Sequence, residues 1–210
     1  MKHIKTCCRF KINNREEEID VYGPVGKDDL LKYQLDKDLN MFRQSTLQQK
    51  ALVEISESSE GRIIIAKNSK NIIGYVTYHF PDRLERWSEA GIDNLLELGA
   101  IEVVSRYRRY NIAQNLLKVS MMDDSVEDYI IIATNYYWHW DLKETGLNVY
   151  DYRKVINKVM HAGGLEYMPT DDPDICVHPA NCLTVRIGKR VSFEDIEKFE
   201  RVRLKNQFMY

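Results

Sequence analysis

Between Arg62 and Val104 the apolar residues come in runs rather than at helical intervals. RIIIAK (Arg62–Lys67) and NIIGYVTYHF (Asn71–Phe80) are rich in β-branched and aromatic residues, are joined by a short polar connector and are closed by Pro81. That composition predicts a β-hairpin. A third strand is expected at Leu95–Val104, LLELGAIEVV, and a fourth at Tyr129–Ala133, YIIIA. The unbroken apolar character of YIIIA fits a parallel or doubly covered strand. A further strand is expected at Leu183–Ile187, and EIDVYG (Glu18–Gly23) alternates before a Gly-Pro turn. Helical spacing marks four other stretches. Lys27–Phe42 carries Leu30, Leu31, Leu35, Leu39 and Phe42, and Ile112–Met122 carries Ile112, Leu116 and Val119 beside Leu117 and Met121. Asn148–Ala162 stops at Gly163-Gly164, and Phe193–Asn206 has Ile196, Phe199 and Val202 on one face behind a Ser192/Asp195 pair at capping-box spacing. Glu57–Gly61 reads as a polar turn and Asp82–Asn94 as charged, irregular chain. With no repeat and no low-complexity linker, the pattern predicts one mixed α/β domain with terminal additions. The expected division is 1–45 as an extension or as the first strand and helices of the domain, 46–190 as the domain, and 191–210 as a C-terminal helix.

Composition narrows the function classes. The chain has 210 residues, 44% of them apolar, which is enough for a packed core. A formal charge of -2 argues against a general polyanion binder, so no nucleic-acid partner is expected. No run approaches the roughly 20 apolar residues of a membrane span, and MKHIKTCCRF is too polar for a secretory signal. A soluble, cytoplasmic protein with no membrane partner is the expectation. Cys7, Cys8, Cys176 and Cys182 show no CxxC pairing. Cys176, His178 and Cys182 lack a fourth ligand at suitable spacing, so free thiols and no metal are expected.

The chemistry concentrates in Glu102–Leu117, EVVSRYRRYNIAQNLL. Here a strand pattern gives way to an amphipathic helix through Arg106, Arg108 and Arg109. A helix N-terminus disfavours cations and attracts anions. Strand, tight turn and helix in succession point backbone N–H groups at a phosphate. No glycine lies between Ser105 and Leu117, and Asn111 is the best substitute, since asparagine tolerates left-handed backbone better than most residues. Ala113 keeps the next approach narrow. Two readings stand on these residues: an anion site in which the arginines add charge-assisted bonds, or a basic surface turn in front of a core helix.

These residues resemble motif A of the GNAT acetyltransferases, in which a strand ending V-x-P leads through Y-R-G-x-G-x-G/A into a helix. Val103, Tyr107, Arg108, Ile112, Ala113, Leu116 and Leu117 fall on that pattern. Ser105 replaces the proline, and Arg109 and Asn111 replace glycines. The resemblance implies the GNAT acyl-CoA N-acyltransferase fold, a mixed, mainly antiparallel sheet flanked by helices, and acetyl-CoA as co-substrate. Its pyrophosphate would lie at Arg108, Arg109, Tyr110, Asn111, Ile112 and Ala113, and its pantetheine and thioester along Val103 and Val104. A narrower resemblance runs through PDRLERWSE, LLELGAIEV, NYYWHWDLK, GLNVYDYRK, AGGLEY, HPANCL and RIGKRVS, and is strongest from Ala51 to Tyr210. These segments are similar to a bacterial branch of the family linked to acetoin utilization. Its members acetylate a lysine of acetyl-CoA synthetase and switch that enzyme off, which implies the synthetase as partner.

Acyl transfer to a lysine of pKa near ~10.4 needs a base. Glu97 is the first candidate: it precedes Val103 by an even number of residues and so shares its strand face, and similar histone acetyltransferases carry their catalytic glutamate there. Glu102, on the opposite face, is the rival, and an ordinary ion-paired strand carboxylate is the alternative for either. The resemblance also implies an oxyanion donor in a backbone N–H near Val103. Many family members have a tyrosine four residues before the glycine of their last conserved motif. Here that place holds Val159 or Met160, leaving Tyr152 or Tyr150 as candidates for the general acid against a core-packing role. The YYWHW cluster reads as core or interface packing, His139 as a packed histidine, and Arg201, Arg203 and Lys205 as a solvated helix face. Two other functions remain open: a CoA-dependent regulator forming a stoichiometric complex with the synthetase, and an acetyltransferase of small amines.

Overall fold

A computed structural model gives the structure of the chain and describes residues 8–13 and 17–207. Two compact units appear, one formed by the chain up to His79 with Leu98–Val126, the other by Phe80–Glu97 with the chain from Glu127 onward.

In the first unit, β1 (Cys8–Asn13) and β2 (Glu18–Gly23) form an antiparallel pair, so strand structure begins inside the expected 1–45 segment. The short helix α1 (Lys27–Lys32) and the two-residue β3 (Gln34–Leu35) follow, then α2 (Ser45–Glu57). The expected hairpin is present as β4 (Arg62–Lys67) and β5 (Asn71–His79), paired antiparallel. Strand β6 (Leu95–Val103) lies beside β5, and α3 (Ile112–Ser120) follows it. Ile63, Ile64, Ile65 and Ala66 of β4 have no exposed surface, because α2 and α3 both pack on that strand. Helix α3 buries Ile112, Leu116, Leu117 and Val119, each contributing roughly 1.5–3 kcal/mol by leaving water. At the start of β4, Arg62 forms an ion pair with Asp123 in which both side chains are 2% exposed.

The helix expected over Lys27–Phe42 ends at Lys32. Tyr33 is extended, and Gln34–Leu35 pairs in parallel with Asn71–Ile72, reinforced by Asp36 N–H donating to Ile72 O at 2.9 Å. Leu35 and Leu39 are buried as expected, though from strand and turn positions. Helix α2 falls where the apolar pattern predicts none. Its buried stripe is only Gln48 and Leu52, Leu47 is exposed, and Gln44 offers no cap hydrogen bond, so the periodicity is faint.

In the second unit, β7 (Ile130–Asn135) runs parallel to the first residues of β6, with Leu95, Leu96 and Glu97 opposite Ile130, Ile131 and Ile132. The short α4 (Leu142–Thr145) and α5 (Val149–His161) precede β8 (Glu166–Met168) and α6 (Pro173–Cys176). Strand β9 (Cys182–Ile187) pairs antiparallel with both β7 and β8, and α7 (Phe193–Arg203) closes the chain. The core gathers Trp87, Leu95, Ile130, Ile132, Leu183, Val185, Phe199 and Val202. Ser192 caps α7 by accepting from Asp195 N–H at 3.1 Å, as its spacing suggested. No helix among the described residues is long and apolar enough to cross a membrane.

Candidate active site

The basic junction lies wholly in the first unit. Strand β6 ends at Val103, and Val104 N–H donates to Ile73 O at 3.0 Å. Ser105–Tyr110 winds as a 3-10 helix, and Asn111 reverses the backbone at φ 57° and ψ 26° before α3 begins. Among the described residues Asn111 alone, glycines apart, has positive φ. This conformation costs a typical L-residue roughly 1–2 kcal/mol, which asparagine offsets by local hydrogen bonding. No side chain caps the first turn of α3, and that turn holds no acidic residue. Its amides and the helix dipole therefore present an unneutralised positive end, a donor set that suits a phosphate. Ile112, fully buried, anchors the turn on β5. A Cβ on Gly74 would stand 3.1 Å from Glu102 O, 3.2 Å from Val103 Cγ2 and 3.6 Å from Ile112 Cγ2, so the glycine lets the end of β6 and the start of α3 settle close to β5.

The three arginines are not equivalent. Arg106 is committed internally: its Nη1 donates to Asp38 Oδ2 at 2.7 Å and to Asp36 Oδ1 at 3.3 Å, and its Nη2 meets Asp36 Oδ2. Burial pushes the Asp36 carboxyl up, but the Arg106 bonds and the Asp38 amide overcome it and hold it below its ordinary value. Arg108 is half-buried. Arg109 and Tyr110 are exposed, and no carboxylate among the described residues pairs with Arg109. The Tyr107 hydroxyl bonds Glu17 and accepts from Asn68 Nδ2 at 3.2 Å, which fixes the middle of the turn.

The two strand carboxylates have different surroundings. Glu102, in the first unit, is 5% exposed, and both its oxygens are used: Oε1 accepts from Met41 N–H at 2.9 Å, and Oε2 from the buried Tyr75 hydroxyl at 2.7 Å. Burial first, and then the Glu102 charge, push the Tyr75 phenol far up. Glu97, in the second unit, is 7% exposed and its Oε1 accepts from Thr134 Oγ1 at 3.1 Å. Burial, then the charge and hydrogen bond of Glu85, and also the charge of Asp82, push the Glu97 carboxyl up to about 8. Glu97 is thus a buried carboxyl poised near neutrality with one hydroxyl donor, whereas Glu102 is a fastener between segments.

Tyr152 on α5 is half-buried and its ring stacks on Trp140 at 5.4 Å. The aromatic stretch before α4 packs largely on itself, with Tyr136 stacked on Trp138 at 4.6 Å and Tyr137 4.2 Å from the His178 ring. Cys176 is exposed, Cys182 is buried, and His178 Nδ1 accepts from Ala180 N–H at 3.1 Å. No group of three or more metal-ligating residues gathers among the described residues. Cys7 and the Cys8 side chain lie outside the described residues. Glu85, Thr134, Asp36, Tyr75 and the Met41 amide carry no local sequence signal: their contacts arise from pairing between segments of the chain, and only the likeness of PDRLERWSE to relatives touches Glu85.

No family model matches the chain. It is 51% identical to the acetoin utilization protein AcuA of Bacillus licheniformis and 50% identical to that of Bacillus subtilis, over 210 residues and the full length of each. The chain belongs to the AcuA family. A crystal structure of the acetoin utilization protein from Exiguobacterium sibiricum matches it with a TM-score of 0.95 at 49% identity, covering 99% of this chain and 98% of that one. The GNAT domain of S. lividans PAT gives a TM-score of 0.51 at 14% identity, covering 85% of this chain and 96% of that domain. A GNAT-family acetyltransferase of Streptococcus pneumoniae gives 0.52 at 11%, covering 81% and 99%. This member of the AcuA family therefore has the GNAT acetyltransferase fold, as motif A suggested.

Proposed function

We propose that this GNAT-fold acetyltransferase moves an acetyl group from acetyl-CoA to a lysine of acetyl-CoA synthetase and thereby inactivates the synthetase. The observation that carries the reading is the uncapped start of α3, entered through left-handed Asn111 directly after β6. The pyrophosphate of acetyl-CoA lies against the amides of Asn111, Ile112 and Ala113, with Arg108 and Arg109 adding charge and Tyr110 flanking it. The thioester lies at Val103 and Val104. Successive amides of a strand point to opposite edges; since Val104 N–H is taken by Ile73 O, Val103 N–H faces the other edge and is the donor for the oxyanion.

Glu97 serves as the base. A carboxylate of pKa about 8 accepts a proton from an amine far better than an ordinary one does. The lysine nitrogen attacks the thioester carbon, the N–C bond forms, the C–S bond breaks, and CoA departs as a thiolate. A thiol of pKa roughly 8.5 leaves readily without an acid. Tyr152, stacked on Trp140, is the residue to test for any acid assistance. Glu102, with both oxygens engaged, has a positioning role.

The choice of synthetase is supported by the segments shared with the acetoin-linked branch of the family, from PDRLERWSE to RIGKRVS. Incubation of the purified protein with labelled acetyl-CoA and acetyl-CoA synthetase, followed by peptide mass spectrometry, tests it. The expected result is one acetylated lysine and loss of synthetase activity. A stable complex without transfer would instead favour the stoichiometric regulator.

A further inference from the structure

A lysine side chain arrives as an ammonium ion and has to be held as a cation before a base can take its proton. The second unit sets a group of aromatic rings beside the residue read as that base. Thr134 Oγ1 donates to Glu97 Oε1 at 3.1 Å. The chain stays extended through Tyr136, so Tyr136 shares a strand face with Thr134 and follows it by about 7 Å. Tyr136 packs against the core, and the Trp138 ring stacks on it at 4.6 Å with 14° between the planes. Tyr137 meets the same indole edge-on at 5.5 Å, and His139 does so at 6.0 Å. Trp138 nevertheless remains 50% exposed. The turn that carries these rings is held by the rest of the unit. Tyr137 N–H donates to Asn181 Oδ1 at 2.9 Å, the Tyr137 ring lies 4.2 Å from that of His178, and His139 N–H donates to Tyr136 O at 3.1 Å.

We propose that Tyr136, Tyr137 and Trp138 form the acceptor site, a platform that receives the protonated lysine side chain of the target protein by cation–π contact and delivers its nitrogen to Glu97. The proposal rests on the reading of the chain as a lysine acetyltransferase with Glu97 as base. Elsewhere the chain covers aromatic rings with its own cations. Lys67 stands 4.5 Å from the Tyr33 centroid, Arg106 5.1 Å from that of Tyr107, and Arg153 5.3 Å from that of Tyr167. Among the described residues no lysine or arginine stands over Tyr136, Tyr137 or Trp138. Carboxylates border the platform instead. Asn181, which holds Tyr137, also donates through Nδ2 to Asp174 O at 3.3 Å; the Asp174 side chain is exposed, and Asp172 caps the same short helix. Burial first, and then the charges of Asp172, Asp174 and Glu85, push the Tyr136 phenol up. An aromatic face attracts an ammonium ion within about 6 Å of its centroid, and the apolar stem of a lysine lies along the rings. That four-carbon stem suits the single pleat between Tyr136 and Thr134, whose hydroxyl touches Glu97.

Trp138 carries the test, as the most exposed of the three rings. In the full-length protein Trp138→Leu keeps an apolar side chain and removes the π-face. With acetyl-CoA synthetase as acceptor, KM is expected to rise about 2- to 30-fold, the range of a cation–π contact. The loss should fall on KM rather than on kcat or the Kd of acetyl-CoA, and Trp138→Phe should recover most of it. Indole fluorescence of the Glu97→Gln protein reads binding without turnover. Titration with Nα-acetyl-lysine methylamide should give a saturable change that Nα-acetyl-norleucine methylamide, its neutral counterpart, does not give. Adding Trp138→Phe to Glu97→Gln should abolish that change. An unchanged KM in Trp138→Leu, equal responses to the two amides, or no response to either would overturn the platform. A rise in KM for spermidine but not for the synthetase would make the occupant a small amine and overturn the protein assignment. Undiminished turnover in Glu97→Gln removes the base, and absence of transfer to the synthetase by the wild type removes the target; in both cases the fluorescence titration still decides the platform.

Discussion

Replacing Glu97 by glutamine keeps the shape of the side chain and removes its charge and its basicity. With the carboxyl at about 8, the wild type holds about a tenth of its molecules in the basic form at pH 7 and about nine-tenths at pH 9, so kcat is expected to rise about tenfold across that interval. The acceptor lysine, at about 10.4, contributes a separate rise at higher pH. In Glu97→Gln only the upper limb remains. The loss at neutral pH is expected to be 10²–10⁴-fold, the usual range for a positioned base, with acetyl-CoA affinity unchanged because its phosphates are assigned to the start of α3. The assay is a stopped thiol-release measurement from about pH 6 to about pH 11 at saturating acetyl-CoA, a range that spans both groups. A second readout comes from linkage. A carboxyl whose folded pKa lies above its ordinary 4.5 stabilises the fold fully below pH 4.5 and loses that contribution as pH rises to about 8. The wild type should therefore lose thermal stability over that window while Glu97→Gln does so less. An unchanged rate profile in Glu97→Gln would refute the assignment of the base, and a parallel decline of both melting curves would refute the electrostatic argument behind it.

The other expectations concern the junction. Arg108→Ala should weaken acetyl-CoA about 10–100-fold, the scale of a charge-assisted bond, and leave a pantetheine fragment without phosphates unaffected; calorimetry with both ligands checks this, and equal losses would remove Arg108 from the phosphate site. Asn111→Gly should retain affinity and stability, whereas Asn111→Val should cost about 1–2 kcal/mol in chemical denaturation because a β-branched residue resists the left-handed backbone. Glu102→Ala leaves the Tyr75 hydroxyl and the Met41 amide without their acceptor; a loss of about 2–4 kcal/mol in denaturant unfolding is expected, with the alkaline limb of the rate profile kept in place. A shifted limb would make Glu102 the base instead.

The legible parts of the molecule were those set by local chemistry. The β-branched runs became β4 and β5, the Ile130–Ala133 part of YIIIA became the first residues of β7, and Ser192 became the cap of α7. The left-handed Asn111 was also readable, because a motif short of glycine leaves few residues able to turn that corner. What escaped was decided at long range. The leucine spacing of Lys27–Phe42 satisfied a helix, but Leu35 is held by strand pairing with Ile72 and Leu39 by burial in a turn. Three neighbouring arginines looked alike in the sequence, and only folding brings Asp36 and Asp38 to Arg106 and withdraws it from any ligand. Likewise nothing local separates Glu97 from Glu102; the one gains a carboxyl neighbour and a rise toward neutrality, the other a tyrosine and an amide.

The decisive experiment is a crystal structure with acetyl-CoA bound. Pyrophosphate oxygens are expected about 2.7–3.2 Å from the amides of Asn111, Ile112 and Ala113, with Arg108 or Arg109 against them. A coenzyme whose phosphates lie away from the start of α3 would contradict it.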